Sequence, residues 1–531
     1  MEHTKKNVQV TKFGNINAVE VIMNTYIIAV FGIFPLFVTD AYFNILESKY
    51  LFFAGVSIAM IIAMTVCGLV NGSVVKYLKT LHIKTAIKSL TIVDWTIMLF
   101  WLANVISWIF CKWPWEAFWG TSGRYNGVFL MTIYMLVYFM VTRFVTLKRW
   151  HLDVFLAASM LVCLFGITDY FKMDLLGFKS QMLDRQKRLY TSTFGNINTY
   201  TIYVAAVMVI STILFANEKN WKRLPWYYAA MIISAFALIM GVSDNAYLSL
   251  AVLFGLSPLY LFKTRTGLSR YLISLATFFT VIKGVEWCDS SYPGPTNRID
   301  SAFSIISDLE ALPWIILGLW ALAAAVTAVL FLTKAGKNYE KVGKWLSRAW
   351  IIVIVAVVGA VAYGFYDATV LGNAKKYGEL ASYLKFGPKW GTNRGQVWMQ
   401  SVELFTKIFT PRQKLFGYGA DTFGLLMQIY YEPSESNGLM VIYDSAHNEY
   451  LHFLVTIGLF GACSYLAFLL SSVVKMCRRL AGRPEIAALM FAVVAYAVQA
   501  AININLPIAM PFTLLMIALG HCKTSEGKEH E

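Results

Sequence analysis

A chain of 531 residues that is 58% hydrophobic and 15% aromatic but only 14% charged is no ordinary soluble protein, since about a quarter of the residues in such a protein carry charge. The net charge of +15 does not imply nucleic acid, because most of the basic residues gather in short loops such as Lys148-Arg149, Lys222-Arg223 and Arg478-Arg479 between apolar runs, the pattern of cytoplasmic loops in a membrane protein. The seven cysteines are scattered without a CxxC or a Cys/His cluster, so neither a disulfide framework nor a metal site is indicated.

In chain order, apolar runs of membrane-crossing length fall near residues 21–39, 51–72, 90–110, 127–146, 153–170, 197–216, 226–242, 246–262, 271–287, 312–333, 349–367, 448–471, 486–502 and 506–521. They predict an all-α polytopic integral membrane protein with about 12–14 transmembrane helices. The first run follows Lys5, Lys6 and Lys12 and lacks a small-x-small cleavage site, which reads as a signal anchor. An even number of spans, with lysines at both ends, places both termini in the cytoplasm. The expected organisation is a cytoplasmic tail (1–20), a helix bundle (21–367), an extracytoplasmic loop or cap (368–446), further transmembrane helices (447–521) and a second tail (522–531).

Three outer loops carry polar detail. Residues 111–126 hold Trp113, Trp115 and Trp119 followed by Gly123-Arg124-Tyr125-Asn126-Gly127, an interfacial aromatic belt with a cation beside it. Residues 171–196 hold Arg185-Gln186-Lys187-Arg188 and lead into Ser192-Thr193-Phe194-Gly195-Asn196-Ile197-Asn198. The stretch 368–446 is too long for a passive connector and predicts a folded helical cap. Inside it, Gly391-Thr392-Asn393-Arg394 precedes a helix with Trp398, Val402, Phe405 and Ile408 on one face, Thr392 or Asn393 serving as its cap. Arg394 then lies at a helix N-terminus, where an anion is favoured. Asp421, after Gly417-Tyr418-Gly419-Ala420, is expected to cap the next helix.

The cap ends in His447-Asn448, where a polar loop turns into an apolar helix carrying Gly458 and Gly461, glycines that let a neighbouring helix approach closely. A histidine in contact with water at that boundary titrates near neutral pH on a rigid support. Arginines with one histidine suit transfer from a lipid pyrophosphate: guanidinium groups bind the two phosphates and neutralise the leaving group without a metal, and the histidine removes a proton from the acceptor hydroxyl. Each residue also has a structural role open to it. His447 suits the membrane interface, Arg394 a pairing with Glu403, and Arg124, Arg185 and Arg188 contact with lipid headgroups. Asp94 and the Lys283/Glu286 pair mark either a relay or span ends.

The pattern His447-Asn448, nine residues, Gly458, two residues, Gly461 resembles the signature of the O-antigen ligase and polymerase superfamily. So do Gly391-Thr392-Asn393-Arg394-Gly395-Gln396-Val397-Trp398, Leu415-Phe416-Gly417-Tyr418-Gly419, and the Asn196/Asn198 segment. The resemblance spans roughly residues 110–470. It implies a bacterial inner-membrane enzyme that moves a glycan from undecaprenyl pyrophosphate to a glycan, lipid or protein hydroxyl outside the cytoplasm, with no cofactor or metal. By the same resemblance His447 is the acceptor-side base and Arg394 a pyrophosphate ligand, with Asn448, Asn196, Asn198, Gly458 and Gly461 in support. The chain departs from the family at Ser243-Asp244-Asn245, where Asp244 replaces a family arginine. That leaves Arg188, Arg124 and Arg185 as the remaining donor-binding cations, and fits a related polymerase as well as a ligase.

Two other classes compete. A lipid-linked oligosaccharide flippase would place ionisable residues at the bilayer midplane, often in repeated halves, whereas the residues here lie at a boundary and no repeat is visible. A polyprenyl-phosphate glycosyltransferase with a metal-binding acidic pair would need adjacent acids in its first outer loop; that loop has only Asp40 and Glu47.

Overall fold

Hydrocarbon offers no partner for backbone N–H and C=O groups, so apolar runs of this length fold as helices. The computed structural model describes residues 17–80, 82–121, 123–299, 301–332, 339–436 and 439–524, and 74% of these described residues are helical. Among the described residues nine helices are long and apolar enough to cross a membrane, and five shorter apolar helices accompany them. The fold is an all-α polytopic membrane architecture. Apart from residues 17–20 and 522–524, the two expected tails lie outside the described residues.

The helix Ile197–Asn217 is the axis of the bundle, with 94% of its apolar window buried. It packs against Leu224–Met240 and Pro484–Gln499. Leu312–Leu332 and Tyr339–Thr369 bury only 11% and 6% of theirs. They stand at the periphery, with side chains such as Trp314, Leu317, Ile352 and Val355 turned outward, as lipid-facing helices do.

One end of the bundle is held by Arg149, which bonds Glu218 at 2.7 Å, Glu485 at 2.9 Å and the Tyr227 hydroxyl at 3.0 Å. These three join helices distant in sequence, and the pairing offsets the cost of taking charges out of water. Asp94 closes a capping box with Thr91 and pairs with Arg143 at 2.7 Å, and Lys283 pairs with Glu286.

At the opposite end, the region 370–446 forms short helices around a small core of Val397, Leu404, Phe409, Tyr418, Phe423, Leu426 and Met427, which Val455 joins from the following helix. Two expectations are corrected here. The run 448–471 is not one continuous helix: it breaks into Glu449–Thr456 and Gly458–Cys477 at Gly458, whose φ is +71°. The helix after Arg394 does not bury Val402 and Ile408, which stay exposed, but Val397, Ser401 and Leu404. A wider π turn over Leu404–Ile408 rotates the last residues off the register that a regular helix predicts.

Candidate functional site

The site grows from two unusual pieces of backbone. Gly391, Thr392 and Asn393 all take left-handed conformations, with φ of 57°, 59° and 69°. Thr392 and Asn393 form the left-handed turn from which the right-handed helix departs at Arg394. A left-handed turn through two non-glycine residues is strained, and such strain persists only where the surroundings enforce it. It delivers Arg394 at the first right-handed turn. There Nη1 donates to the Gly391 carbonyl at 3.1 Å, while the buried Nε has no partner among the described residues.

The second piece is His447, also left-handed at φ +47°. Its N–H donates to Ser445 Oγ at 3.2 Å. The carbonyl of Ala446, just before it, accepts the indole N–H of Trp398 at 3.0 Å. Trp398 is one helical turn beyond Arg394, so this bond ties the arginine's helix to the histidine's loop. Asn448 caps the helix that follows, its Oδ1 accepting the Leu451 N–H at 3.0 Å.

Gly458 and Gly417 then lock loop to helix. A Cβ on Gly458 would meet Gly417 N and the Leu415 carbonyl at 2.5 Å, and one on Gly417 would meet the Thr456 carbonyl oxygen at 2.1 Å. The close partner of Gly458 is therefore the 415–417 backbone rather than a neighbouring helix. Tyr418 and Gly419 extend the contact, donating their N–H groups to the Val455 and Thr456 carbonyls at 3.2 and 3.0 Å. Gly461 packs on the Ile457 side chain.

Arg124 reaches the same place from the tryptophan loop. It forks onto Asp444, with Nε to Oδ2 at 3.0 Å and Nη2 to the other oxygen. The arginine side chain is only 11% exposed, whereas Asp444 keeps 58%. Asp421 does not cap the helix that follows it. Its Oδ2 accepts the N–H groups of Thr121 and Asn126 at 2.9 and 3.0 Å, holding the loop that carries Arg124.

Asp244 accepts the Tyr383 hydroxyl at 3.1 Å, and its charge acts on Arg394. Asn196 caps the helix Ile197–Asn217 through the Asn198 N–H, and Asn198 Oδ1 accepts from Ser243 Oγ at 2.8 Å and Asn245 Nδ2 at 3.2 Å. Both asparagines thus support the Asp244 turn. Arg188 lies elsewhere, in a cavity with Lys172, Lys179 and Lys187 that none of the residues around His447 lines. Arg185 is in the short helix Asp184–Lys187, which Arg188 follows as C-cap; the Arg185 side chain lies outside the described residues.

The electrostatics follow from this grouping. Burial, then the charges of Arg394 and Arg124, pull the His447 imidazole down to about 3, with Asp444 opposing them. The half-buried ring is neutral at pH 7, and water contact does not set its titration as the sequence suggested. Desolvation pushes the Asp444 carboxyl up, but the Arg124 charge and hydrogen bonds outweigh it and hold it below the usual carboxylate range. Burial lifts Asp421 to about 7, against the hydrogen bonds it receives. Arg394 is lowered by burial and supported by Asp244, and a guanidinium so placed stays charged.

Sequence reasoning missed Asp444 as a partner, although it lies three residues before His447. It also missed Tyr383 and the site-facing role of Trp398.

A polytopic helical membrane protein with, at one end, a histidine on which two arginine charges act is the class that fold and site define. Residues 312–466 match the family model described as O-antigen ligase. That stretch contains Arg394, Asp444 and His447 and links the chain to the O-antigen ligase superfamily. It supports a ligase- or polymerase-type role in surface polysaccharide biosynthesis. No curated protein matches the sequence.

Proposed function

We propose that the protein transfers a glycan from undecaprenyl pyrophosphate to an acceptor hydroxyl at the outer face of a bacterial cytoplasmic membrane, with both termini inside. The observation that carries this reading is the grouping of Arg394 and Arg124 around His447, close enough that both charges act on the imidazole.

The donor's pyrophosphate binds the buried Nε edge of Arg394 and draws Arg124 from its fork on Asp444. Its negative charge cancels the two cations that hold the imidazole down, so His447 becomes a better base only when donor is present. The acceptor oxygen then attacks the anomeric carbon and its proton passes to His447. The bond between anomeric carbon and phosphate oxygen breaks, and undecaprenyl pyrophosphate leaves as an anion held by the arginines. The acceptor is a glycan, a lipid or a protein. Asp244, where the family carries an arginine, favours a relative of the lipopolysaccharide ligases over a ligase in the strict sense.

The test compares His447→Ala and Arg394→Ala with wild type for surface polymer in cells, with membrane levels of each protein checked. Loss of polymer with lipid-linked donor accumulating on the outer face supports the transferase. Unchanged polymer sinks the assignment, and donor trapped on the cytoplasmic face replaces it with a flippase.

A further inference from the structure

We propose that the cavity lined by Asp169, Lys172, Lys179, Lys187, Arg188 and Asn297 is a second binding site, which takes an acidic sugar of the glycan through its single carboxylate. It has a volume of about 480 Å³, within the about 300–1,000 Å³ of small-molecule sites. The proposal rests on the transferase reading for the origin of that sugar. The binding itself does not depend on His447.

The floor is firmly built. Asp169, 2% exposed, accepts Lys179 Nζ at 3.1 Å, the Ser192 N–H at 2.7 Å and the Tyr42 hydroxyl at 3.2 Å. Both oxygens of Asp174 accept the Lys179 N–H at 3.1 Å, and Asp184 pairs with Lys187 at 2.8 Å. All three carboxylates of the lining are therefore engaged. Two exposed cations, Lys172 and Arg188, have no carboxylate partner among the described residues.

Charge selects the ligand. Four cations stand against three carboxylates in the lining, a surplus of one positive charge. A sugar carboxylate matches that surplus and suits the planar fork of an arginine. A pyrophosphate would bring at least two negative charges among three fixed carboxylates, where like charges repel. Ser180, Thr296 and Asn297 supply polar groups of the kind that sugar hydroxyls pair with.

The cavity also connects with the reaction site. Asp169 holds Ser192, which opens the segment ending at Asn198, and Asn198 holds Ser243 and Asn245 on either side of Asp244. A glycan anchored here lies at the same end of the bundle as His447.

The experiment titrates oligogalacturonate, its neutral methyl ester and inorganic phosphate onto the full-length protein in lipid nanodiscs. Oligogalacturonate is expected to bind about tenfold or more tightly than the ester, with a similar loss in the Lys172→Gln/Arg188→Gln variant, because each lost charged hydrogen bond weakens binding by at least that factor. His447→Ala is expected to bind as wild type does. Equal binding of the ester, or unchanged binding by the double variant, would overturn the proposal. Phosphate competing through Lys172 and Arg188 would also overturn it, in favour of a phosphate site. If the double variant fails to reach the membrane, the comparison of acid and ester on the wild-type protein decides.

Discussion

Trp398 donates its indole N–H to the carbonyl of Ala446 at 3.0 Å, and this bond sets where Arg394 stands relative to His447. The two sit on separate pieces of chain, one on a cap helix and one on the loop that enters the membrane. Phenylalanine at 398 would keep the ring and lose the bond, at a cost of about 0.5–1.5 kcal/mol. Trp398→Phe is expected to lower the transfer rate by about tenfold, as misplacement of catalytic groups does, while melting within a few degrees of wild type. An unchanged rate in a membrane-based transfer assay would remove Trp398 from the positioning of the site.

The pH profile tests the electrostatics. As the proposed base, His447 would act only when neutral, and Arg124 is one of the charges holding its pKa down to about 3 in the free protein. Removing that cation stabilises the imidazolium and raises the pKa. Arg124→Gln should therefore lose activity at higher pH on the acid side than wild type, and Asp444→Asn should move the acid limb the other way. Rates measured at saturating and at low donor separate this shift from weakened binding. Identical acid limbs in all three proteins would mean that His447 is not the titrating base.

Asp421 makes a separate prediction, for stability. Burial raises its pKa in the folded protein to about 7, well above the ordinary aspartate range, so the folded state binds the proton more tightly than the unfolded state. The stability it confers is full below about pH 4 and is lost as the pH rises toward 7. Asparagine keeps an oxygen for the Thr121 and Asn126 N–H groups and carries no charge. Asp421→Asn is expected to melt a few degrees higher at pH 8 and to flatten the dependence between pH 4 and 7. A lower melting temperature at pH 8 would show that the ionised carboxylate stabilises the loop.

The two glycines of the helix should separate. Gly458→Ala drives a Cβ into the Leu415–Gly417 backbone at a positive φ, whereas Gly461→Ala meets the buried Ile457 side chain, at 2.4–2.8 Å, without a positive φ. The first is expected to lose more than about 2 kcal/mol, seen as depleted protein in the membrane. The second is expected to lose less, because a side chain can shift where a backbone cannot. Equal levels of both would contradict the tight loop contact.

How much of this was readable beforehand depended on range. Apolar runs were visible because a membrane span is written in about 20 consecutive residues, and helices lie under every run read from the sequence. The break at Gly458 was not visible, since hydropathy continues across it and only the 415–417 backbone reveals why a glycine is needed there. The left-handed turn ahead of Arg394 was not visible either, because the surrounding fold forces Thr392 and Asn393 into a conformation that local preference disfavours.

His447, Asn448, Gly458 and Gly461 lie within one short stretch, and Arg394 within a second. Motif spacing alone could single them out as candidates. The role of Arg124 is different. It looked like a headgroup anchor, and it meets Asp444 across 320 positions of chain. Arg188 was the first candidate for a donor ligand, ahead of Arg124, but lies in a cavity apart from His447.

The sequence by itself determined the membrane class, the apolar runs and the histidine and arginine candidates, because hydropathy and motifs are properties of neighbouring residues. Only the tertiary structure decided which cations surround the histidine, that the ring is neutral, and that a second basic cavity stands apart. Charge interactions depend on distance through space and on desolvation, and neither is set until the helices pack.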